Sequence, residues 1–367
     1  MKYLIVFGRD PEISKAELEE FCKARNITLT LKEATKHLFS IETDKELHKE
    51  IDLLGGTIKM AEILFTCHEP EELDYLFSKV NLPIPHKEKV YYALDDYGSD
   101  LTELVEQSLK AHFKELRVKA MLKKDLSPKK FHKKKIADEG IEILLYKNTI
   151  ARTVAVTNPL ELKKRDERNP EKNYAQATSI RLAKILLNLA GAQEGHSLLD
   201  PFCKSGTILE EALLRNIQVY GRDDSIKEAQ INIKAFIKEH HLTTTFSLKE
   251  GPLKGMDQYY KKEIFDCVVT EPHLGPERKK LPSLEEAREI LQGLKEQYKT
   301  LFSLLQSLVK PRGTIVIILP ELRTFQENLT LSLSNLIGQH FIKKREFNYG
   351  PPSNKVKRKI YVLQKQK

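Results

Sequence analysis

The chain opens on an apolar run, Tyr3 to Phe7, that reads as a strand. From about Ser14, apolar residues recur at helical spacing, Ala16, Leu18 and Phe21 among them, with Ser14 as the expected N-cap. Short strands and a second helix end near LGGTIKMAEILF (Leu54 to Phe65), whose last half has strand character. A second small α/β pattern follows. It has a strand at Val90 to Leu94 and an amphipathic helix from Ser99, with Leu101, Leu104, Val105 and Leu109 on one face. It continues with a strand in RVKAMLKK and a helix in SPKKFHKKKIADEG, with Ser127 as cap, Pro128 at the first turn and Gly140 as the stop. Strands at Ile141 to Tyr146 and Ile150 to Val156 complete it. The charged, two-proline stretch Thr157 to Asn173 is the expected linker.

After it the pattern alternates. A strongly apolar helix, Ile180 to Ala190, precedes the strand SLLD. Helices are expected at 207–215, 226–239, 284–309 and 325–336, and strands at 219–222, near Phe246, at 265–269 and at 314–319. Alternation of this kind predicts a doubly wound, mostly parallel sheet. The last two strands, near 341–347 and 359–363, have no helix between them and should pair as a hairpin.

Composition changes this picture little. The four cysteines, Cys22, Cys67, Cys203 and Cys267, are scattered, which argues against a disulfide framework or a structural metal. No apolar run approaches the roughly 20 residues of a membrane span, and the amino terminus lacks a secretory pattern, so a cytoplasmic setting is expected. Charge adds more. The net charge is +9. Between Lys110 and Lys135 eleven Lys or Arg face two acids, Glu115 and Asp125, so that one window carries the whole excess. Such a concentration fits a polyanion partner better than a merely solvated helix face. Lys129, Lys130, Lys133 and Lys134 are the candidate phosphate contacts. His112 and His132 lack metal-ligand spacing and are expected at the surface, while Cys203 and Cys267 are expected in the core.

SLLDPFCKSGTILEEALL, Ser197 to Leu214, is a strand, a turn of small residues and a helix. Open α/β sheets bind ligands at such a place. Asp223 ends the next strand, where an acid can take both ribose hydroxyls of an adenosine-bearing cofactor. The turn lacks a dinucleotide fingerprint, and Asp200 would repel a pyrophosphate. An acid there suits a cation such as S-adenosylmethionine, with its sulfonium and ammonium. Asp200, Pro201, Phe202, Ser205, Gly206, Thr207 and Asp223 are the candidate cofactor residues.

LLDPFCKSGTILEEA resembles the Asp-Pro-Phe-Cys-Gly-Ser-Gly-Thr motif of THUMP-domain, class I, S-adenosylmethionine-dependent tRNA (guanine-N2)-methyltransferases. LGGTIKMAEIL, KKRDERNP, RLAKILLNLAG and GPPSNKVKRKIYVL resemble further segments of the same family, so the resemblance spans nearly the full length. It implies an α/β protein with a ferredoxin-like domain at 1–66, a THUMP-like RNA-binding domain at 67–158, a linker at 159–173 and a Rossmann-like class I methyltransferase domain at 174–367. It implies tRNA as substrate and allows an accessory protein subunit. Two departures stand out. Lys204 replaces the family's glycine; at positive φ a lysine costs about 1 kcal/mol, and its ammonium crowds a cationic ligand. The acid after the third strand is Glu250 or Asp257, neither a clear match.

The family's catalytic loop, Asp/Asn-Pro-Pro-Tyr, is Glu271-Pro272-His273-Leu274 here. The resemblance implies that Glu271 and the Pro272 carbonyl accept hydrogen bonds from the target amine and orient it for attack. His273 would contact the base, and Leu274 removes the aromatic platform. The competing functions are a non-catalytic tRNA-binding protein with a degenerate methylase fold and a DNA amino-methyltransferase. The basic N-terminal half argues against the latter.

Overall fold

The structure, a computed structural model, describes residues 1–85, 89–123, 140–168, 178–276, 278, 280–351 and 353–367. The chain divides into two compact units. One is Met1–Ser14 with Asn26–Pro159; the other is Lys15–Arg25 with Leu160–Lys367.

The first unit is built from β1 (Lys2–Phe7), the start of α1 (Pro11–Ala24), β2 (Leu29–Glu33), β3 (Leu38–Thr43), β4 (Thr57–Thr66), α2 (Leu73–Lys79), β5 (Val90–Asp96), α3 (Thr102–Glu115), β6 (Ala120–Leu122), β7 (Ile141–Tyr146) and β8 (Thr149–Val156). Among the described residues these strands form one sheet, in the order β2-β3-β1-β4-β8-β7-β5-β6. The sheet runs without a break through the domain boundary expected after residue 66, because the free edge of β4 is satisfied by antiparallel pairing with β8. A buried ion pair reinforces the seam: Lys59 on β4 lies 2.5 Å from Asp95 on β5 and 2.6 Å from Glu142 on β7.

Two expected helix starts in this unit, at Ser14 and Ser99, are corrected. α1 starts at Pro11, and the Ser14 hydroxyl donates to the Asp10 carbonyl at 2.7 Å instead of capping the helix. α3 starts at Thr102, because Asp96 takes the N–H groups of Gly98 and Ser99 and the Thr102 hydroxyl, and so prolongs the turn. His112 is buried on the apolar face of α3 beside Phe77 and Phe113, not at the surface as expected. The helix expected at 127–140, with Lys129, Lys130, Lys133 and Lys134, lies outside the described residues.

The second unit contains α4 (Pro159–Arg168), α5 (Ile180–Leu189), β9 (Ser197–Asp200), α6 (Thr207–Leu213), β10 (Gln218–Asp223), α7 (Lys227–His240), β11 (Phe246–Glu250), β12 (Phe265–Thr270), α8 (Leu284–Leu308), β13 (Val309–Arg323), β14 (Asn328–Thr330), α9 (Leu333–Ile337), β15 (Phe341–Tyr349) and β16 (Val356–Lys365). Its sheet has the order β11-β10-β9-β12-β13-β16-β15. The strands from β11 to β13 are parallel, and β16 inserts antiparallel between β13 and β15, as the closing-hairpin pattern predicts.

α4 occupies the first part of the expected linker. α8 is one unbroken helix, started by a capping box between Ser283 and Glu286. Its residues Leu294, Tyr298, Leu301 and Leu305 recur at helical spacing and bury against Phe265, Val268, Ile315 and Ile317. Each such side chain contributes about 1.5–3 kcal/mol. The helix expected at 325–336 is instead mostly a hairpin. β13 runs on to Arg323, the Thr324 hydroxyl closes a turn with Glu327, and the chain returns as β14. Only Leu333–Ile337 is helical there. The later part of α1 belongs to this unit: Glu17 accepts from Asn188 at 2.7 Å, and Glu19 pairs with Arg345 at 2.8 Å.

Candidate active site

The chain runs from β9 through β10 to β11 in one direction across the sheet, then returns to place β12 on the other side of β9. The carboxyl ends of β9 and β12 are therefore neighbours at the point where strand order reverses, the usual ligand crevice of an open α/β sheet. The two segments singled out by sequence begin at those two ends.

Asp200 ends β9 and is 1% exposed. Its Oδ1 accepts the Thr270 hydroxyl at 2.7 Å and the Phe202 N–H at 3.2 Å. Pro201 and Cys203 are buried, and Phe202 packs on the core below. The Cys203 N–H donates to the Arg222 carbonyl at 2.9 Å and fastens the turn to β10. Lys204 sits at φ +47°, the left-handed region expected from the glycine it replaces, and its N–H donates to Asp223 Oδ2 at 2.9 Å. The Ser205 carbonyl accepts from Asn232 at 3.0 Å. Gly206 has φ +91°, which favours glycine, and a Cβ there would press on the Ile233 side chain at 3.2 Å. Thr207 opens α6, fully buried.

Burial pushes the Asp200 carboxyl up to about 7, against the pull of Thr270, the Phe202 N–H and the Lys204 charge. Asp223 is raised as well, again chiefly by burial, while the Lys204 and Asp224 N–H groups oppose it. Two crowded acids of this kind favour a cationic ligand, so the residues present fit S-adenosylmethionine. Asp200 and the turn 201–207 would hold its charged end, and Asp223 its ribose. Of the two candidates for the next acid, Glu250 ends β11 and accepts the Ile226 N–H at 3.3 Å, beside Asp223 in the sheet register. Asp257 lies exposed on a short 3-10 helix, Met256–Tyr259.

Thr270 ends β12, so its bond to Asp200 ties the acid-proline loop to the cofactor turn through one residue. Glu271 is 2% exposed. Its Oε2 accepts the Thr178 hydroxyl at 2.6 Å, and its Oε1 accepts Arg358 Nε at 2.5 Å. Pro272 is buried and His273 is exposed. The His273 carbonyl accepts the hydroxyl of the buried Tyr298 at 2.5 Å. Gly275, at φ +103°, brings the loop back against Ile290. A carboxylate oxygen offers two acceptor sites, so Glu271 keeps acceptor capacity beyond these two bonds. Sequence reasoning missed Thr178, Thr270, Tyr298 and Arg358. Thr270 was the most accessible of them, as the residue before the acid; nothing distinguishes Arg358 from the other cations of its strand.

Just past the loop lies a groove of about 450 Å³ lined by Pro276, Arg278, Ile290, Leu322, Asn354 and Lys355, among others. Its described lining includes two cations, Arg278 and Lys355, of which Arg278 pairs with Glu286 at 2.5 Å. Lys355 donates to the Arg278 carbonyl at 3.0 Å, joining the loop to the hairpin of β15 and β16. Three residues beyond Leu322, Phe325 stands 86% exposed on the turn between β13 and β14. Among the described residues no group of three or more His, Cys, Asp or Glu could hold a metal ion, and no helix is long and apolar enough to cross a membrane.

The parallel sheet, closing hairpin and crevice define a Rossmann-like class I methyltransferase fold. The same class emerges from known proteins. Residues 170–277, which include both loops, match the UPF0020 family profile, described as an RMKL-like methyltransferase domain. The chain is 28% identical over 151 residues to the tRNA (guanine(10)-N2)-dimethyltransferase of Methanothermobacter thermautotrophicus, covering 38% of this chain and 44% of the relative. It is 29% identical over 98 residues to a probable tRNA (guanine(10)-N2)-dimethyltransferase of Methanothermococcus thermolithotrophicus, covering 26% of this chain and 60% of the relative. The chain thus spans between 28% and 60% of the length of the curated relatives it matches. In fold it resembles the crystal structure of TrmN from Thermus thermophilus, with a TM-score of 0.56 and 15% identity over the whole of both chains.

Proposed function

We propose that the chain transfers a methyl group from S-adenosylmethionine to an exocyclic amine of tRNA, with guanine N2 as the target. The observation that carries this is the 2.7 Å bond from Thr270 to Asp200, which holds the acid-proline loop against the cofactor turn. The bound cofactor supplies the electrophilic methyl on its sulfonium. Asp200 and Asp223 balance its charge and hold its ribose. Glu271, fixed by Arg358 and Thr178, accepts a hydrogen bond from the target amine together with the Pro272 carbonyl, so the nitrogen lone pair faces the methyl group. His273, exposed at the loop's apex, contacts the base. The groove with Arg278 and Lys355 receives the neighbouring RNA backbone, and Phe325 offers a stacking face in place of the family's loop aromatic. Lys129, Lys130, Lys133 and Lys134 and the THUMP-like segment 67–158 bind the rest of the tRNA by shape and charge. The setting is cytoplasmic.

Incubation with unmodified tRNA transcripts and cofactor, followed by mass spectrometry of the nucleosides, should yield N2-methylated guanosine. Absence of any methylated nucleoside, although cofactor binds, would overturn the reading. A second reading is favoured by one observation: both oxygens of Glu271 are already engaged by the protein, as a purely structural acid would be. On that reading the chain binds tRNA without modifying it, and the same incubation separates the two.

A further inference from the structure

The turn after β9 needs a left-handed residue at position 204, and glycine would meet that need without strain. A lysine there costs stability relative to glycine. Its backbone N–H is bound to Asp223, and its positive charge acts on both Asp223 and the buried Asp200. These are the two acids that, on the proposed function, meet the cofactor. We infer that Lys204 is a resident countercharge of the cofactor cleft, which narrows the cleft's preference for the cationic cofactor over its neutral thioether product. Where Asp200 and Asp223 are ionised, the cleft strongly favours a sulfonium. The Lys204 charge offsets part of theirs, and the attraction lost is that of one unit charge for the sulfonium alone. At distances of several ångströms in a partly buried site this is worth a factor of about five to ten in affinity.

Two substitutions separate charge from strain. Lys204→Met removes the charge and keeps the left-handed strain; Lys204→Gly removes both. Calorimetric titration of the full chain at pH 8 with S-adenosylmethionine and with S-adenosylhomocysteine reads the ratio of their affinities. Both variants should shift that ratio about five- to tenfold toward S-adenosylmethionine, with S-adenosylhomocysteine affinity changed less than about twofold. Only Lys204→Gly should also raise the melting temperature. An unchanged ratio in both variants, or an equal shift for both ligands, would overturn the inference and leave the proposed function standing. A wild-type chain that binds neither ligand would remove the cofactor reading and the inference with it.

Discussion

Asp200 ends β9 and Glu271 follows the neighbouring β12; both are almost fully buried, and they are handled in opposite ways. Glu271 is met by the chain's own cation, Arg358, at 2.5 Å, and by the Thr178 hydroxyl. Asp200 accepts a hydroxyl and an N–H, and burial raises its carboxyl to about 7 against the pull of the Lys204 charge. The difference suits the two roles that the proposed function gives these acids. An acid satisfied from within is held in one orientation and serves as a fixed acceptor. An acid whose charged form is disfavoured chiefly by burial gains most from a cation arriving from outside.

The largest expected effect comes from removing the fixed acceptor. Glu271→Gln keeps shape and one acceptor, and it should lower the methyl-transfer rate by on the order of 10²-fold or more, while cofactor affinity in calorimetry stays within about threefold. Unchanged turnover would make Glu271 structural and erase its contrast with Asp200. Removing the countercharge is next. Arg358→Gln leaves a buried carboxylate unpaired and should cost about 3 kcal/mol in denaturant unfolding, the low end for a buried pair because Arg358 is partly exposed. A cost near zero would show that Glu271 is not held by this pair.

The third prediction concerns pH. The folded-state value of Asp200 lies above its ordinary 3.8, so the folded chain holds that proton more tightly than the unfolded one. Stability is therefore lost as pH rises from about 4 to about 7, by on the order of 4 kcal/mol across the window. Asp200→Asn should flatten that decline, and bound S-adenosylmethionine should raise the melting temperature more at pH 8 than at pH 6. Equal cofactor stabilisation at both pH values would contradict a cofactor that favours the ionised form of Asp200. The smallest effect is expected from Thr270→Val, which deletes the hydroxyl between the two loops. It should cost about 1 kcal/mol of stability and weaken cofactor binding a few-fold, as measured by unfolding and calorimetry.

Much of the second unit was legible because its elements announce themselves locally. SLLD, the small-residue turn and the closing hairpin are contiguous patterns, and the left-handed φ at Lys204 follows from a glycine position in the resembled motif. The hairpin at 324–330 was not legible, because its apolar spacing suits a helix and only pairing with the long β13 decides against it. The partners of Glu271 were hidden for the same reason. Thr178 and Arg358 lie 93 and 87 residues away in sequence, and no periodicity links them to the loop. Likewise, the seam between β4 and β8 rests on a pairing that neither strand's pattern discloses.

The most direct test is a single-turnover reaction of methyl-labelled S-adenosylmethionine with unmodified tRNA, run side by side with wild type and Glu271→Gln. The account predicts label on guanosine N2 with the wild type and almost none with the variant, both chains having bound the cofactor. Bound cofactor with no label in tRNA from either chain, or equal label from both, would contradict it.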